Sequence, residues 1–393
     1  MRLLSIKKWN DYSLEPADMP DEAQVHRLKA GVGDWNTWRR AHLEVRIDLR
    51  GADLSGAALP GANLADADLT RAVLASADLR KAILLRANLS ETNLSGADLH
   101  GAYLKSARLP GSILAQANLT HADLRSAGLS RADLSGALLE RAFLLGTSLA
   151  ETRLAGARWN AAWAGDTLFI NCDLSQVIGL EQVNHSGPSS LSTSTLAASR
   201  GKIPARFLRG CGLSDWEIEA ARLYGPGLPP DEVDAILYRV HRLRAGQPLQ
   251  VRPLFISYQH ADQAFVEALE LLLDQKDIRF WRDLHDGTSG RVERASDRAM
   301  GANATVLLVL SQHSVESGWP EQALKLAGGT EQPPARLKLL PVALDAAWKE
   351  HPWPEQVRAQ FEGSEPIDLS DWSAAGELER KLGRLVEGLL NQG

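Results

Sequence analysis

A leucine stands at every fifth position from Leu49 to Leu154, 22 times without a break. A small side chain, in most repeats an alanine, stands two residues before almost every one of these leucines. On an α-helix, residues five apart rotate by roughly 140°, and on a strand they alternate between opposite faces. Neither element keeps the leucines on one side, so the chain must turn within every repeat.

Leucine and the small residue can both point inward only if short extended pieces wind around a common axis. Successive coils then stack leucine on leucine, about 4.8 Å apart. The two ends of such a stack carry unpaired backbone groups, so flanking residues are expected to cap them or to pair them with another copy. Residues 24–45, which include Trp35, Trp38 and Leu43, have the apolar face of an amino-terminal cap.

Units such as GADLS, GANLA, SADLR, RANLS and HADLR closely resemble the pentapeptide-repeat family. The resemblance covers about residues 46–175 and implies a right-handed quadrilateral β-helix with four repeats in each coil. Some pentapeptide proteins imitate DNA with a strongly negative rod. Residues 46–175 contain 13 acidic and 13 basic residues, and this balance argues against DNA mimicry here.

The carboxyl end of the repeats loses regularity and gains large side chains, namely Trp159, Trp163, Phe169 and Leu174. An open coil end of this kind would drive a homo-oligomer through exposed backbone groups and an apolar cross-section. Alternatively, residues 176–200 fold back and cap it. Both interpretations are kept at this point.

The whole chain has 393 residues, enough for two or three domains. Its 43 Lys and Arg against 49 Asp and Glu give a net charge of −6, which does not suit a general nucleic-acid binder. Cys172 and Cys211 are too few for a disulfide framework and are expected to be reduced and buried. The opening MRLLSIKKWNDY lacks the apolar core of a signal peptide, and no stretch approaches the roughly 18 apolar residues of a membrane span. The sequence predicts a cytoplasmic protein that binds neither nucleic acid nor membrane.

The segment after the repeats shows helix signals. Ser214 and Glu217 have the spacing of a capping box, and Pro229 and Pro230 open a second predicted helix. The nearby FLRGCGL resembles a connector between pentapeptide repeats and a signalling domain, although a packed structural linker is the preferred interpretation. We predict four regions: a helical cap at 1–45, the β-helix at 46–180, a helical linker at 181–250 and an α/β domain at 251–393.

From residue 250 the pattern alternates between strands and helices, which predicts a parallel sheet covered by helices on both faces. The run FISY at 255–258, followed by Asp262, resembles the first box of the Toll/interleukin-1 receptor (TIR) domain. IRFW, VLLVLSQHSVESGW and IDLSDW keep the order and spacing of bacterial TIR domains over about residues 251–393. The resemblance implies a flavodoxin-like α/β fold.

Bacterial TIR domains are commonly NAD+ glycohydrolases, so the resemblance implies NAD+ as substrate and no further cofactor. Nicotinamide leaves as a neutral molecule, and a carboxylate with an aromatic platform suffices to stabilise the positive charge that develops on the ribose. No metal is required, and the sequence has no His, Cys and Asp cluster at metal-ligand spacing.

The resemblance also implies site residues at the carboxyl ends of the strands, where open α/β sheets bind ligands. Trp281 would stack on a ring of the dinucleotide, and Tyr258 and Gln259 would line the same cleft. The competing interpretation has Tyr258 and Trp281 packing under the next helix. The full set implied for the substrate is Ser257, Tyr258, Gln259, Trp281 and Trp319. The loop 283–291 corresponds to the TIR self-association loop, here with Asp286, Gly287, Gly290 and Arg291, but it lacks the usual proline.

The family pattern puts the catalytic glutamate four residues after the tryptophan, and Ala323 occupies that position after Trp319. Glu321 is a poor substitute, because a shift of two residues on a helix rotates the side chain by about 200°. Either the domain is a naturally inactive assembly module, or an inactivating substitution was introduced into an enzyme. Because Ser317 and the surrounding pattern are retained, the second explanation is favoured.

The resulting prediction is a bacterial defence effector whose β-helix assembles or senses and whose TIR domain degrades NAD+ when protomers come together. The alternative is an adaptor whose TIR domain only binds other TIR domains. Residues 251–393 contain 22 acidic and 15 basic residues beside a neutral rod, so no appreciable affinity for DNA or RNA is expected.

Overall fold

The structure is a computed structural model of the chain. It describes residues 19–246, 254–275, 278, 280–282, 305–316, 338–353, 365–374 and 376–381. The chain divides into two compact units, the first made of Met1–Val183 with Ser190–Ile203 and the second of Asn184–Ser189 with Pro204–Gly393.

The first unit is a right-handed quadrilateral β-helix, as predicted. Parallel bridges join residues 20 positions apart, such as Asp53 to Val73 and Val73 to Asn93, so four five-residue repeats make one coil. The amide of Leu54 donates to the carbonyl of Val73 on the next coil at 2.7 Å, and this contact recurs along the rod. The leucine ladder and most of the small residues are buried, and they form the core.

Each repeat bends at the second residue after its leucine. Gly51, Gly56 and Gly61 hold φ between 62° and 67° there, and Asp66 and Arg71 adopt the same left-handed conformation at 60° and 59°. Such a bend after every short extended piece explains why a period of five keeps all leucines inward. The left-handed conformation costs free energy for residues other than glycine. The hydrogen bonds between stacked coils must therefore hold these residues in it.

Two helices cap the amino end of the β-helix, α1 (Glu22–Ala30) and α2 (Val32–Ala41). Gln24 donates to the carbonyl of Arg46 at 3.2 Å and accepts from the amide of Asp48 at 2.9 Å. Trp35 is fully buried, and its indole N–H donates to the carbonyl of Asn63 at 2.9 Å. These side chains satisfy backbone groups that the first coils would otherwise expose.

The carboxyl end of the β-helix is also capped, by residues that return to it. Strands β1 (Trp163–Ala164) and β2 (Leu168–Phe169) lie in the last coils, and β4 (Ser190–Leu191) pairs in parallel with β2. Helix α3 (Thr193–Ala198) follows, and beyond it the Ser199 hydroxyl accepts from the amide of Leu174 at 3.0 Å. Of the two sequence interpretations, the fold-back cap is the one observed. The predicted homo-oligomer contact through an open rod end therefore loses its physical basis, because the edge is already paired.

Thr195 is the central residue of this cap, and replacing it by valine should loosen the last coil. Its hydroxyl donates to the carbonyl of Phe169 at 2.9 Å, and its oxygen accepts from the amide of Cys172 at 3.3 Å. Valine has the same shape but leaves both buried backbone groups without these partners, at a cost of about 1–3 kcal/mol. Amide hydrogen exchange over residues 168–174 should accelerate in Thr195→Val and stay unchanged in the exposed control Thr193→Val. Equal protection in both variants would contradict the assignment of the cap.

The second unit begins with strand β3 (Asn184–His185) and a group of helices, α4 (Ala205–Gly210), α5 (Asp215–Ala221) and α6 (Pro230–Gly246). The predicted capping box is confirmed, since the amide of Ser214 donates to the Glu217 carboxylate at 2.7 Å. Helix α6 begins at the predicted Pro230, where a missing N–H costs nothing.

A five-stranded parallel sheet forms the rest of the described second unit, in the order β6-β5-β7-β8-β9. The strands are β5 (Leu254–Ser257), β6 (Phe280–Arg282), β7 (Thr305–Leu310), β8 (Lys338–Ala343) and β9 (Ile367–Asp368). The helices described in this part include α7 (Gln263–Gln275), α8 (Gln312–Glu316) and α9 (Ala347–Glu350). Every residue of β5 and β7 is buried, as expected for inner strands of a parallel sheet. This is the predicted flavodoxin-like α/β fold.

Candidate active site

The strand order places a switch point between β5 and β7. The chain runs from β5 outward to β6 on one side and then crosses to β7 on the other, and open α/β sheets bind ligands at the carboxyl ends of strands where the order reverses in this way. Ser257 ends β5 and Leu310 ends β7, and Ser257 pairs in register with Leu308. The residues that follow these two strands therefore form the candidate site.

A buried carboxyl group lies at this switch point. Asp262 follows β5, and its Oδ2 accepts from the Ser311 hydroxyl at 2.7 Å, directly after β7. Burial raises the pKa of Asp262, and the hydrogen bond from Ser311 opposes that rise. Ser311 directly precedes α8, and its amide donates to the Ser314 hydroxyl at 2.8 Å. Asp262 thus ties β5 to β7 at the point where a ligand would bind.

Tyr258 belongs to a second buried cluster at the same edge. It is 6% exposed and hydrogen bonds to Arg282, the last residue of the neighbouring strand β6. Arg282 also makes a bidentate ion pair with Glu270 of α7, and both of these side chains are buried. Burial lowers the pKa of Arg282, because the guanidinium is largely removed from water.

Trp281 of β6 is covered by the helical connector of its own unit. It pairs in register with Phe255 of β5, is 4% exposed, and donates its indole N–H to the carbonyl of Gly210 at 3.2 Å. Gly210 ends α4 and has no room for a side chain, because a Cβ there would lie 2.2 Å from the His185 ring. The segment FLRGCGL thus includes Gly210, whose carbonyl accepts from the Trp281 indole.

His185 completes the packing beneath this connector. Its ring meets Phe207 of α4 edge to face, with centroids 5.2 Å apart. Burial lowers the pKa of His185 to about 3, so the ring is neutral at physiological pH. Cys211, next to Gly210, is a buried free thiol whose pKa burial raises well above the ordinary value. Neither group supplies a charged or reactive side chain to the site.

The structure brings four sequence-predicted residues to one edge of the sheet. Ser257, Tyr258 and Gln259 follow one another at the end of β5, and Trp281 lies on the adjacent strand. Of these four, only Gln259 is partly exposed to solvent. Their roles toward a substrate stay predictions. Trp319, Ala323 and the loop residues Asp286, Gly287, Gly290 and Arg291 lie outside the described residues.

Sequence reasoning did not assign roles to Ser311, Glu270 or Arg282. The serine directly after the buried strand VLLVL was an available signal, because it occupies the carboxyl end of a central strand. Glu270 and Arg282 sit on different elements and carry no local pattern. Among the described residues, no group of three or more His, Cys, Asp or Glu is placed to hold a metal ion. No described helix is long and apolar enough to cross a membrane.

Comparison with known families agrees with this architecture. A profile of the TIR domain matches residues 254–386, and a profile of pentapeptide repeats (8 copies) matches overlapping stretches within residues 47–158. No curated protein gave a significant match to the chain.

Several solved pentapeptide repeat proteins resemble part of the chain. HetL, involved in heterocyst differentiation regulation in the cyanobacterium Nostoc, is 35% identical over 33% of this chain and 66% of HetL, with a TM-score of 0.21. Rfr23 from the cyanobacterium Cyanothece is 43% identical over 23% of this chain and 55% of Rfr23, with a TM-score of 0.16. QnrB1, a plasmid-mediated fluoroquinolone resistance protein, is 17% identical over 48% of this chain and 84% of QnrB1, with a TM-score of 0.32. The chain thus spans just under two thirds of HetL and about half of Rfr23.

The repeat period, the 20-residue coil register and the sheet order all agree with the two profile matches. The chain therefore contains pentapeptide repeats at residues 47–158 and a TIR domain at residues 254–386.

Proposed function

We propose that the protein is a bacterial TIR effector of the kind that cleaves the nicotinamide bond of NAD+ when protomers assemble, in defence against phage, and that this chain is catalytically disabled at Ala323. The observation that carries this proposal is the residue set at the carboxyl edge of the sheet, where Tyr258 and Gln259 directly follow β5 and Trp281 lies on the adjacent strand β6. Aromatic and amide side chains at such an edge suit a dinucleotide, whose rings stack and whose ribose hydroxyls need polar partners. The TIR profile is compatible with this activity.

The chemistry needs one carboxylate beside the ribose. Cleavage breaks the bond between the ribose anomeric carbon and the nicotinamide nitrogen, and water takes the place of the neutral leaving group. A carboxylate stabilises the positive charge that develops on the ribose. The family pattern assigns this role to the position of Ala323, so the present chain lacks the group.

Buried aromatic side chains favour a resting form of low activity. Trp281 is 4% exposed and bonded to Gly210, so it stacks on a substrate only after the connector moves away from it. We assign that movement to assembly, which links the β-helix to catalysis as scaffold or sensor. Cytoplasmic location follows from the need for cellular NAD+.

Restoring the carboxylate tests the proposal. We expect Ala323→Glu to release nicotinamide from NAD+ at concentrations that favour assembly, at least about a hundredfold faster than the parent chain, since removal of a single charge-stabilising group costs enzymes on the order of 10²–10³ in rate. Gln322→Glu is the matched control, because it adds the same charge one residue away and should release none. Nicotinamide is measured directly by chromatography. A folded Ala323→Glu protein that releases none would contradict the enzyme and favour the second candidate.

That second candidate is a non-enzymatic adaptor that acts by binding other TIR domains. Ala323 at the expected glutamate position is the observation that favours it. The adaptor requires assembly but no NAD+ cleavage, so the same two variants separate the candidates.

A further inference from the structure

One face of the β-helix is apolar. Outward positions on either side of the buried leucines carry Ile83 and Leu85 on one coil, Tyr103 on the next, and Phe143 and Leu145 two coils later. Bridges run from Ile83 to Tyr103, from there to Asp123, and on to Phe143, so these residues form a continuous column. We call these five residues, with Asp123, Arg125 and Lys105 between them, the apolar face.

The other three faces are more polar at the matching positions, where the apolar residues Val73, Ile113 and Leu138 stand singly among polar ones. One carries Asp78, Arg80, Asp98 and His100 on successive coils, and the remaining two carry mainly Asp, Asn, Ser and Thr. Tyr103 and Phe143 are the two aromatic residues that the repeats at 46–158 hold, and both stand on the apolar face. Tyr103 is 49% exposed, which is costly for a large side chain beside other apolar groups.

An ion pair lies in the middle of this face. Arg125 donates from Nε to one oxygen of Asp123 at 2.8 Å and from a terminal nitrogen to the other at 2.7 Å. The side chains are 28% and 13% exposed, so the pair is partly removed from water within its own chain. Positive and negative charge therefore stand side by side across the width of the face, between apolar coils.

We propose that the apolar face binds the same face of a second copy, with the two rods parallel. A two-fold axis along the rods sets each outward position against the one on the other side of the leucine on the same coil. Asp123 then lies opposite Arg125 of the second copy, and Arg125 opposite Asp123. Apolar residues also meet, Ile83 against Leu85 and Phe143 against Leu145, while Tyr103 meets the Lys105 ammonium in a cation–π contact.

Antiparallel pairing lacks this complementarity. If the two-fold axis of an antiparallel pair crosses the coil that contains Asp123, Asp123 lies opposite Asp123 of the second copy. If the axis lies midway between the coils of Lys105 and Arg125, Lys105 lies opposite Arg125 of the second copy. Like charges in direct opposition are destabilising. The charge pattern thus selects the parallel pair, in which both copies continue into their TIR domains from the same end of the β-helix.

The pair should be weak. From Ile83 to Phe143 the face extends over three coil spacings, about 14 Å. A standard interface buries roughly 800 Å² on each partner, and a face of this length is too short to bury that area. We therefore expect dissociation at about micromolar concentrations rather than nanomolar ones. This inference deepens the assembly step of the proposed function, but it is tested without NAD+, so a failure of either is seen separately.

Sedimentation velocity of the full chain tests the pairing. We expect the weight-average sedimentation coefficient to rise between about 1 and 100 μM, and Phe143→Asp to raise the dissociation constant at least tenfold. Ile113→Asp is the matched control, because it adds the same charge at an apolar outward position on another face and should change nothing. Circular dichroism checks that each variant remains folded.

Charge exchange keeps the proposal falsifiable even if Phe143→Asp does not fold. Asp123→Arg and Arg125→Asp should each remain monomeric alone, because like charges then face each other, and an equimolar mixture should restore association. A full chain that stays monomeric at 100 μM, or association that Phe143→Asp and both charge variants leave unchanged, would overturn the proposal.

Discussion

Replacing Glu270 by leucine is expected to lower the free energy of unfolding of the TIR domain by about 3–5 kcal/mol. Glu270 lies on α7 and pairs through both carboxylate oxygens with Arg282 of β6, and both side chains are buried. Removal of the carboxylate leaves the guanidinium in a place that already lowers its pKa through burial, with Tyr258 as a hydrogen-bond partner. An uncompensated buried charge costs far more than the lost contact alone.

Hydrogen exchange over α7 measures this loss in the correct part of a chain that contains two units. The control is Gln275→Ala at the exposed end of the same helix, which should change the free energy by less than about 0.5 kcal/mol. The double variant Glu270→Leu/Arg282→Leu removes both charges and should recover most of the stability. If the single and double variants were equally destabilised, packing rather than charge would hold α7 to the sheet.

Replacing Leu99 by alanine is expected to cost the β-helix about 3–5 kcal/mol. Leu99 is fully buried, and the 20-residue register stacks it between Leu79 and Leu119. Its neighbours are tied by backbone bonds on both sides, so the coils cannot collapse into the space that the side chain leaves. The loss therefore includes a cavity as well as the lost burial.

Leu138→Ala is the control for the ladder. Leu138 points outward on the rod and is partly exposed, so the same change there should cost less than about 1 kcal/mol. Urea unfolding followed by hydrogen exchange over residues 84–119 reads the coils on both sides of Leu99. Equal losses in the two variants would mean that the inward ladder does not dominate the stability of the rod.

The β-helix could be predicted because every repeat has the same sequence pattern. Leucine and a small residue recur at fixed offsets, and one bend for each repeat follows from geometry alone. The sequence could not show that the carboxyl end of the β-helix is capped, because the cap depends on Thr195 and Ser199 bonding to backbone groups more than 20 residues earlier. Such contacts leave no periodic signal in the sequence.

The candidate site was predictable only in part. A parallel sheet brings the ends of its strands together, so Tyr258, Gln259 and Trp281 were expected at one edge. The partner of the Trp281 indole, Gly210, lies 71 residues earlier on a connector whose packing no local pattern specifies. The Asp262 to Ser311 bond similarly joins two strand ends that are 49 residues apart in the chain.

Pairing of the β-helices through the apolar face would control the activity of the TIR domain. A parallel pair raises the local concentration of one TIR domain near the other, which converts a bimolecular encounter into a tethered one. Activity would then depend on protein concentration only in the range where the pair forms.

The rate of nicotinamide release from the Ala323→Glu protein, measured against protein concentration, tests this account most directly. We predict that the rate for each molecule rises with concentration over about 1–100 μM and levels off as pairing saturates. Adding Phe143→Asp should lower that rate at the same concentrations, while Ile113→Asp should not. A folded Ala323→Glu protein that releases no nicotinamide, or one whose rate for each molecule is constant and indifferent to Phe143→Asp, would contradict the account.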